Sequence, residues 1–338
     1  MCSLEASLPQ GSHVQIAEIA MSTGLTLKGL IRNCGDGTTL KNWYTKYLGF
    51  TCESEQQFQG DWISVLFPGS HAASLHSFGL RLGQEVLQLW FWPGVNMHPY
   101  PADTQGIDHW FQHLCLVSDA LQAVYGGSIQ KASTPISLAP QSLPVWNPGA
   151  AGIQAVKFVD PQGHPLELLQ FPADKGDSRW HLSKDLTGKP KGIDHSAISI
   201  ASTEDSLAFY TQLLGMDKVG SGINYGSEQD AMDGLVDARV AITALKAQPG
   251  HMGVEFLDYQ QPDGGRTRSD PRWTDQVDDK LLIYSPNIRE LHVRVHQSPW
   301  SAQCSPLVSL PHRFLGADLG FALRDPDQHA LVLVGDDH

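Results

Sequence analysis

No stretch of this 338-residue chain approaches the roughly 18 consecutive apolar residues of a membrane-spanning helix. The segment 14–21 is short and broken by Gln15 and Glu18, and the N-terminus lacks the basic start and apolar run of a secretory signal. Basic residues are few: 23 Lys and Arg stand against 36 Asp and Glu, a formal net charge of −13. That balance argues against nucleic-acid or anionic-membrane partners, because binding phosphates takes clustered cations. The five cysteines (Cys2, Cys34, Cys52, Cys115 and Cys304) are scattered, odd in number and form no CxxC. A disulfide framework is therefore not expected, and a reducing cytoplasm is the expected compartment. No glycine-rich phosphate loop and no GxSxG nucleophile motif occurs.

What is there is written twice. Trp43-Tyr44-Thr45 followed by Leu48-Gly49 returns as Phe209-Tyr210-Thr211 followed by Leu214-Gly215, with Tyr44 and Tyr210 166 residues apart. Asp160-Pro161-Gln162-Gly163-His164 returns as Asp325-Pro326-Asp327-Gln328-His329, 165 residues on. Two unrelated motifs with one period indicate a duplicated half. Each half reads as two units with the order strand, helix, strands. A tail (1–23) precedes the first unit (24–106) and the second (107–172). A polar linker (173–190) leads to the third (191–264) and the fourth (265–338).

In the third unit, 194–201 alternates as a strand. A helix is expected over 203–214 with Thr203 as its N-cap, then strands over 238–245 and 252–259. In the second, 110–118 reads as strand and 119–125 as a helix stopped by Gly126-Gly127. A hairpin over 153–171 turns at Asp160-Pro161-Gln162-Gly163. The first unit reads as strand 25–32, helix 39–47 and hairpin 78–92. The fourth, the most eroded, reads as strand 280–285, helix 287–296 and the hairpin strands 320–324 and 330–334.

Four residues stand out as candidate metal ligands: His113, Glu167, His195 and Glu255. Both histidines open the first strand of a unit, and both glutamates sit among apolar residues of a closing strand. A carboxylate buried there is costly without a partner, and a divalent first-row metal is one good partner for two His and two Glu. Each Glu could equally point to water from an exposed face. The outer units offer no such set. Lys28 or Gly29 falls where His195 stands, Gln88 where Glu255 stands and Val332 where Glu167 stands, and the strand from Lys280 carries no histidine.

Other features weigh less. His109 and His113 are four apart, but strand alternation over 111–117 argues against a helical metal pair. His164 and His329 are turn residues, expected in solvent. Cys115 is expected as a small buried residue. The loop 143–148, with Trp146, either overhangs the site or caps the core.

The units resemble the βαβββ module of the vicinal oxygen chelate superfamily, which includes glyoxalase I, extradiol dioxygenases and bleomycin-resistance proteins. The carrying residues are Ile193-Asp194-His195-Ser196-Ala197-Ile198-Ser199-Ile200 through Ser206-Leu207-Ala208-Phe209-Tyr210 and Leu214-Gly215. Phe158-Val159-Asp160-Pro161-Gln162-Gly163-His164 with Glu167-Leu168, and Trp110-Phe111-Gln112-His113, add to it. The resemblance spans nearly all of 24–336 and is strongest in modules two and three. It implies an α+β fold of four modules in two curved-sheet, glyoxalase-like domains. It also implies metal ligands from the first and last strands of paired modules, here His113, Glu167, His195 and Glu255. In four-module glyoxalases, module two pairs with three and one with four, which would assemble one complete site and one dead one. The pairing of one with two and three with four would leave two half-sites. The extradiol pattern in modules three and four is missing because Val332 replaces its carboxylate.

The resemblance further implies a divalent metal enzyme (Zn, Ni, Fe, Mn or Co). It would act on a small molecule with vicinal oxygens by isomerase or lyase chemistry through an enediolate, with Glu167 or Glu255 as general base. A Fe(II) dioxygenase and a non-catalytic binder of the bleomycin-resistance type are the alternatives. No basic cluster suits glutathione. A monomer or homodimer is expected.

Overall fold

The computed structural model describes residues 24–182, 188–312 and 314–337. The tail 1–23 and part of the linker lie outside the described residues. The first unit supplies β1 (Thr26–Asn33), β2 (Thr51–Gln59), β3 (Ser74–Leu82) and β4 (Glu85–Phe91). The second supplies β5 (Gln112–Val117), β6 (Gln154–Val159) and β7 (Pro165–Gln170). The third supplies β8 (Gly192–Ser199), β9 (Asp217–Tyr225), β10 (Arg239–Lys246) and β11 (Gly253–Gln261). The fourth supplies β12 (Lys280–Tyr284), β13 (Leu319–Arg324) and β14 (Ala330–Gly335).

These strands form two mixed sheets, and each sheet draws on both halves of the chain. One runs β13-β14-β12-β1-β4-β3-β2, extended beyond β13 by the short strand Val308–Ser309. The other runs β9-β10-β11-β8-β5-β7-β6, extended beyond β6 by Thr134–Pro135. At the centre of each sheet two opening strands meet antiparallel: β1 with β12, and β8 with β5. Module two thus shares a sheet with module three, and module one with module four.

Strand alternation gives each sheet two unlike faces. In β6, Val156 and Phe158 enter a large apolar core with Leu40, Tyr44, Leu121, Phe209, Tyr210 and Leu291 from the helices of all four modules. Ala155 and Lys157, on the other face, line a cavity. The helices therefore pack on the side away from the cavity, in one core common to both sheets.

Several local expectations shift. The third module's helix is capped by Ser202, whose side chain accepts from the Asp205 amide, rather than by Thr203. Gly126 and Gly127 do not stop their helix. It widens there into a π turn, Tyr125–Ile129, and runs on through Gln130–Ala132. β2 and β9 had no counterpart in the sequence reading.

Candidate functional site

Strands β5 and β8 run side by side with Cys115 opposite His195 and His113 opposite Ala197. β7 joins β5 with Glu167 opposite Cys115, and β11 joins β8 with Glu255 opposite Ala197. Four neighbouring strands from two modules thereby deliver His113, Glu167, His195 and Glu255 to one cavity of about 260 Å³. His113 Nε2 lies 3.1 Å from Glu167 Oε2, and His195 Nε2 lies 3.6 Å from the same oxygen. His195 Nε2 is 3.8 Å from Glu255 Oε1. One donor atom each from His113, Glu167 and His195 falls within 4.8 Å of the other two, a grouping that does not include Glu255.

His195 is oriented from behind: its Nδ1 lies 3.0 Å from Asp194 Oδ2, and Asp194 accepts from Trp180 Nε1 at 2.9 Å. Its Nε2 is buried and has no hydrogen-bond partner. A carboxylate behind one ring nitrogen and an open second nitrogen facing two glutamates is the arrangement that orients a metal-binding histidine. The donor set and this partnerless nitrogen both fit a divalent first-row ion.

Burial shapes the charges here. It drives His113 down to about 4 against the pull of Glu167. Burial alone would raise Glu167, but the adjacent His113 and His195 and the cation of Lys157 hold it well below the usual carboxylate range. Burial raises Glu255, with His195 opposing. Burial also disfavours protonated His195, yet Cys115, Glu255 and Asp194 around it outweigh this and raise it well above its ordinary value. Cys115 is fully buried and its thiol is pushed well up by desolvation.

Three contributors escaped the sequence reading. Asp194 stands behind His195. Lys157 lines the cavity and donates to Asp233 Oδ1 at 2.7 Å. Asp233 ends the helix Ser227–Asp233 and also accepts from Gln229 Nε2 at 2.6 Å and Tyr259 OH at 2.9 Å. The signal for Lys157 was available: a cation within Ala155-Val156-Lys157-Phe158-Val159 is as conspicuous as a glutamate among leucines. The loop 143–150 does overhang the cavity, but through Leu143, Asn147, Gly149 and Ala150. Trp146 instead stacks on Tyr225, ring centroids 4.2 Å apart, while Asn147 Nδ2 donates to Asn224 Oδ1 at 2.5 Å.

The other sheet has a groove of about 740 Å³ lined by Lys28 and Gln88 among others. Its register resolves the alternatives left by sequence. Gly29 lies opposite Leu282 and Val86 as His195 lies opposite Cys115 and Gly253, so Gly29 and not Lys28 holds the His195 position. Lys280 stands in place of His113, Val332 of Glu167 and Gln88 of Glu255. A Cβ on Gly29 would lie 1.8 Å from the Val86 carbonyl oxygen, so no histidine fits there without moving the strand. Phe67, Trp90, Trp92, Trp273 and Phe314 fill much of this face. Away from both cavities, His292, His296 and Cys304 cluster near the helix Ile288–His296, where the two imidazoles hydrogen-bond each other.

No protein-family model and no curated protein matches the sequence. Solved structures do match the fold. Glyoxalase I from Zea mays superposes with a TM-score of 0.58 at 15% identity, over 92% of this chain and 92% of that one. A proposed dioxygenase from Bacillus subtilis subsp. subtilis str. 168 gives 0.55 at 11% identity, over 93% and 86%. Identities this low speak to architecture alone. Among the described residues no helix is long and apolar enough to cross a membrane. Two mixed sheets, each assembled from two βαβββ modules, give this chain a glyoxalase-like fold.

Proposed function

We propose that the chain is a divalent-metal-dependent enzyme acting on a small substrate with two adjacent oxygens, by isomerase or lyase chemistry beside a carbonyl. The observation that carries this is the buried, partnerless Nε2 of His195, turned toward Glu167 and Glu255 with His113 across the module boundary. His113, Glu167, His195 and Glu255 would hold the ion. When bound, it supplies a Lewis acid that offsets negative charge developing next to a carbonyl.

The two glutamates divide the remaining work. Glu167 lies within 3.6 Å of both imidazoles, which favours it as the standing ligand. Glu255 approaches only His195, and its side chain keeps 21% exposure on the cavity side. It has the freedom to swing and take a proton from a substrate carbon, the geometric requirement of a general base. The 143–150 loop, held to β9 through Asn147 and Asn224, overhangs one side of the cavity.

A dioxygenase is the second reading. It is favoured by the grouping of only two histidines and one carboxylate within 4.8 Å, a set suited to Fe(II) with open positions.

Elemental analysis of purified protein, followed by a screen of 2-hydroxy-carbonyl and catechol compounds, tests the proposal. His195→Ala should weaken metal affinity by more than the 10–100-fold typical of losing an outer partner. Glu255→Gln should retain most of the metal and lose turnover. Metal retained at full occupancy in His195→Ala would sink the proposal, and oxygen uptake dependent on Fe(II) would replace it with the second reading.

A further inference from the structure

We propose that Lys157 forms an acid-binding subsite in this cavity, so that the substrate is a small organic acid carrying a carboxylate next to its two adjacent oxygens. The inference rests on the metal-dependent reading and names the substrate class for the same site.

Lys157 lies in β6 directly across from Glu167 in β7, on the cavity face. Its side chain is 4% exposed. Among the described residues its ammonium makes one hydrogen bond, to Asp233. An ammonium has three N–H groups, so two make no hydrogen bond to the described residues. Leaving charged donors unmet in a desolvated site is costly, and a ligand oxyanion would meet them.

Asp233 does not compete for that role. Its carboxylate is already held by Lys157, Gln229 and Tyr259, on three separate elements. Asp233 therefore anchors the ammonium and balances its charge, just as Glu167 and Glu255 would balance a divalent ion. Within the lining the ion would thus offset the two glutamates and Lys157 is offset by Asp233, while Asp194 lies behind His195, outside the lining. The duplication supplies a control. Ala322 stands opposite Val332 as Lys157 stands opposite Glu167. A cation at this register position is thus present only in the sheet that carries the candidate ligands. The rest of the lining holds no further charge: Asn147, Ser221, Asn224 and Gln229 are its neutral polar residues, and Leu143, Ile153, Met232, Ile242 and Leu257 make much of the remainder apolar. A volume of about 260 Å³ is below the roughly 300 Å³ at the small end of ligand pockets. One cation and a small apolar space suit a short acid, not a peptide with several carboxylates.

The test compares two 2-hydroxy acids that differ in one substituent on the Zn²⁺-loaded full-length protein by titration calorimetry. Tartronate carries a second carboxylate where lactate carries a methyl. Wild type should prefer tartronate by roughly 10–100-fold, the range for a hydrogen bond between charged groups. Lys157→Met should remove most of that preference while lactate affinity stays within about 2-fold. Losing the lysine strands a buried aspartate, so Lys157→Met combined with Asp233→Leu is measured alongside, with metal content determined for every variant. If lactate binds only with metal but tartronate is not preferred, or if the preference survives in both variants, the Lys157 assignment is overturned and the metal reading stands. If neither ligand binds, or lactate binds equally without metal, the metal reading falls and the subsite falls with it.

Discussion

At the scale of single residues, the proton on His195 is the feature with the most direct consequence. His195 is raised well above its ordinary value despite its burial, because Cys115, Glu255 and Asp194 surround it. A metal ligand must be the neutral imidazole. Metal uptake at neutral pH should therefore release about one proton, and affinity should fall as pH falls through the raised value. In the metal-free protein the same proton stabilises the fold fully below about 6.5, and that contribution is lost as pH rises through the folded value. Calorimetry in two buffers of different ionisation enthalpy measures the release, and His195→Ala should abolish it. Zero release by wild type near pH 7 would contradict the assignment. The four ligand candidates were legible because each glutamate is flanked by apolar residues in a closing strand and each histidine opens the first strand of a unit. Asp194 was not. The register shifts between Ile193 and His195, and the irregularity brings to His195 a neighbour that strict alternation would send to the opposite face.

At the scale of elements, the two motifs that reveal the duplication are partners in one contact. Tyr44 OH donates to Asp160 Oδ2 at 3.0 Å, and its repeat, Tyr210 OH, donates to Asp325 Oδ2 at 3.1 Å. His164 Nε2 reaches the Asn33 carbonyl at 2.7 Å, and His329 Nε2 the Ser199 carbonyl at 2.8 Å. Each hairpin turn thus clasps the helix and first strand of a module in the other sheet. His164 and His329 are consequently buried, not solvated as turn residues would suggest. The period was legible because both copies keep the Tyr, Asp and His that make this clasp.

The clasps are unequal in charge. Arg32 lies 3.8 Å from Asp160, whereas register places Ile198 at the corresponding position beside Asp325. Asp160 is accordingly lowered: burial would raise it, but His164 and Arg32 outweigh burial. Asp325 is raised to about 7 by burial, against backbone donors and Tyr210. A raised carboxyl favours the fold below its unfolded value near 4, and that stability is lost as pH rises through about 7. Asp325→Asn keeps an acceptor for Tyr210 and should flatten the decline in melting temperature between pH 4 and 7, on the order of a few kcal/mol in wild type. An unchanged slope in the variant would assign the decline to Asp327, which burial also raises, since the lowered His329 works in the opposite direction. By contrast, β2 and β9 were illegible because they are polar edge strands. Thr51–Gln59 has no fully buried position, and Asp217–Tyr225 has one, so neither shows the apolar alternation that marks a half-buried strand.

At the scale of the whole molecule, the order of modules along the chain differs from their order in space. Sequence shows two halves, yet neither half is a structural unit. β5 and β7 carry His113 and Glu167 in the first half, while β8 and β11 carry His195 and Glu255 in the second. The seam between β5 and β8 is a central antiparallel pair of one sheet, and the matching seam of the other is β1 with β12. Separating the halves would cut both sheets down the middle and open the apolar core that joins their helices. The chain should therefore unfold in a single cooperative transition, as expected of one shared core. Fragments 1–182 and 188–338 expressed alone should each lack stable tertiary structure and bind metal at least 100-fold more weakly than the intact chain, since each offers only two of the four candidate ligands, one His and one Glu. Mixing or co-expressing them should restore metal binding, because the seams are non-covalent. Tight metal binding by residues 1–182 alone would place the complete site within one half and overturn the assignment of a site shared between modules two and three.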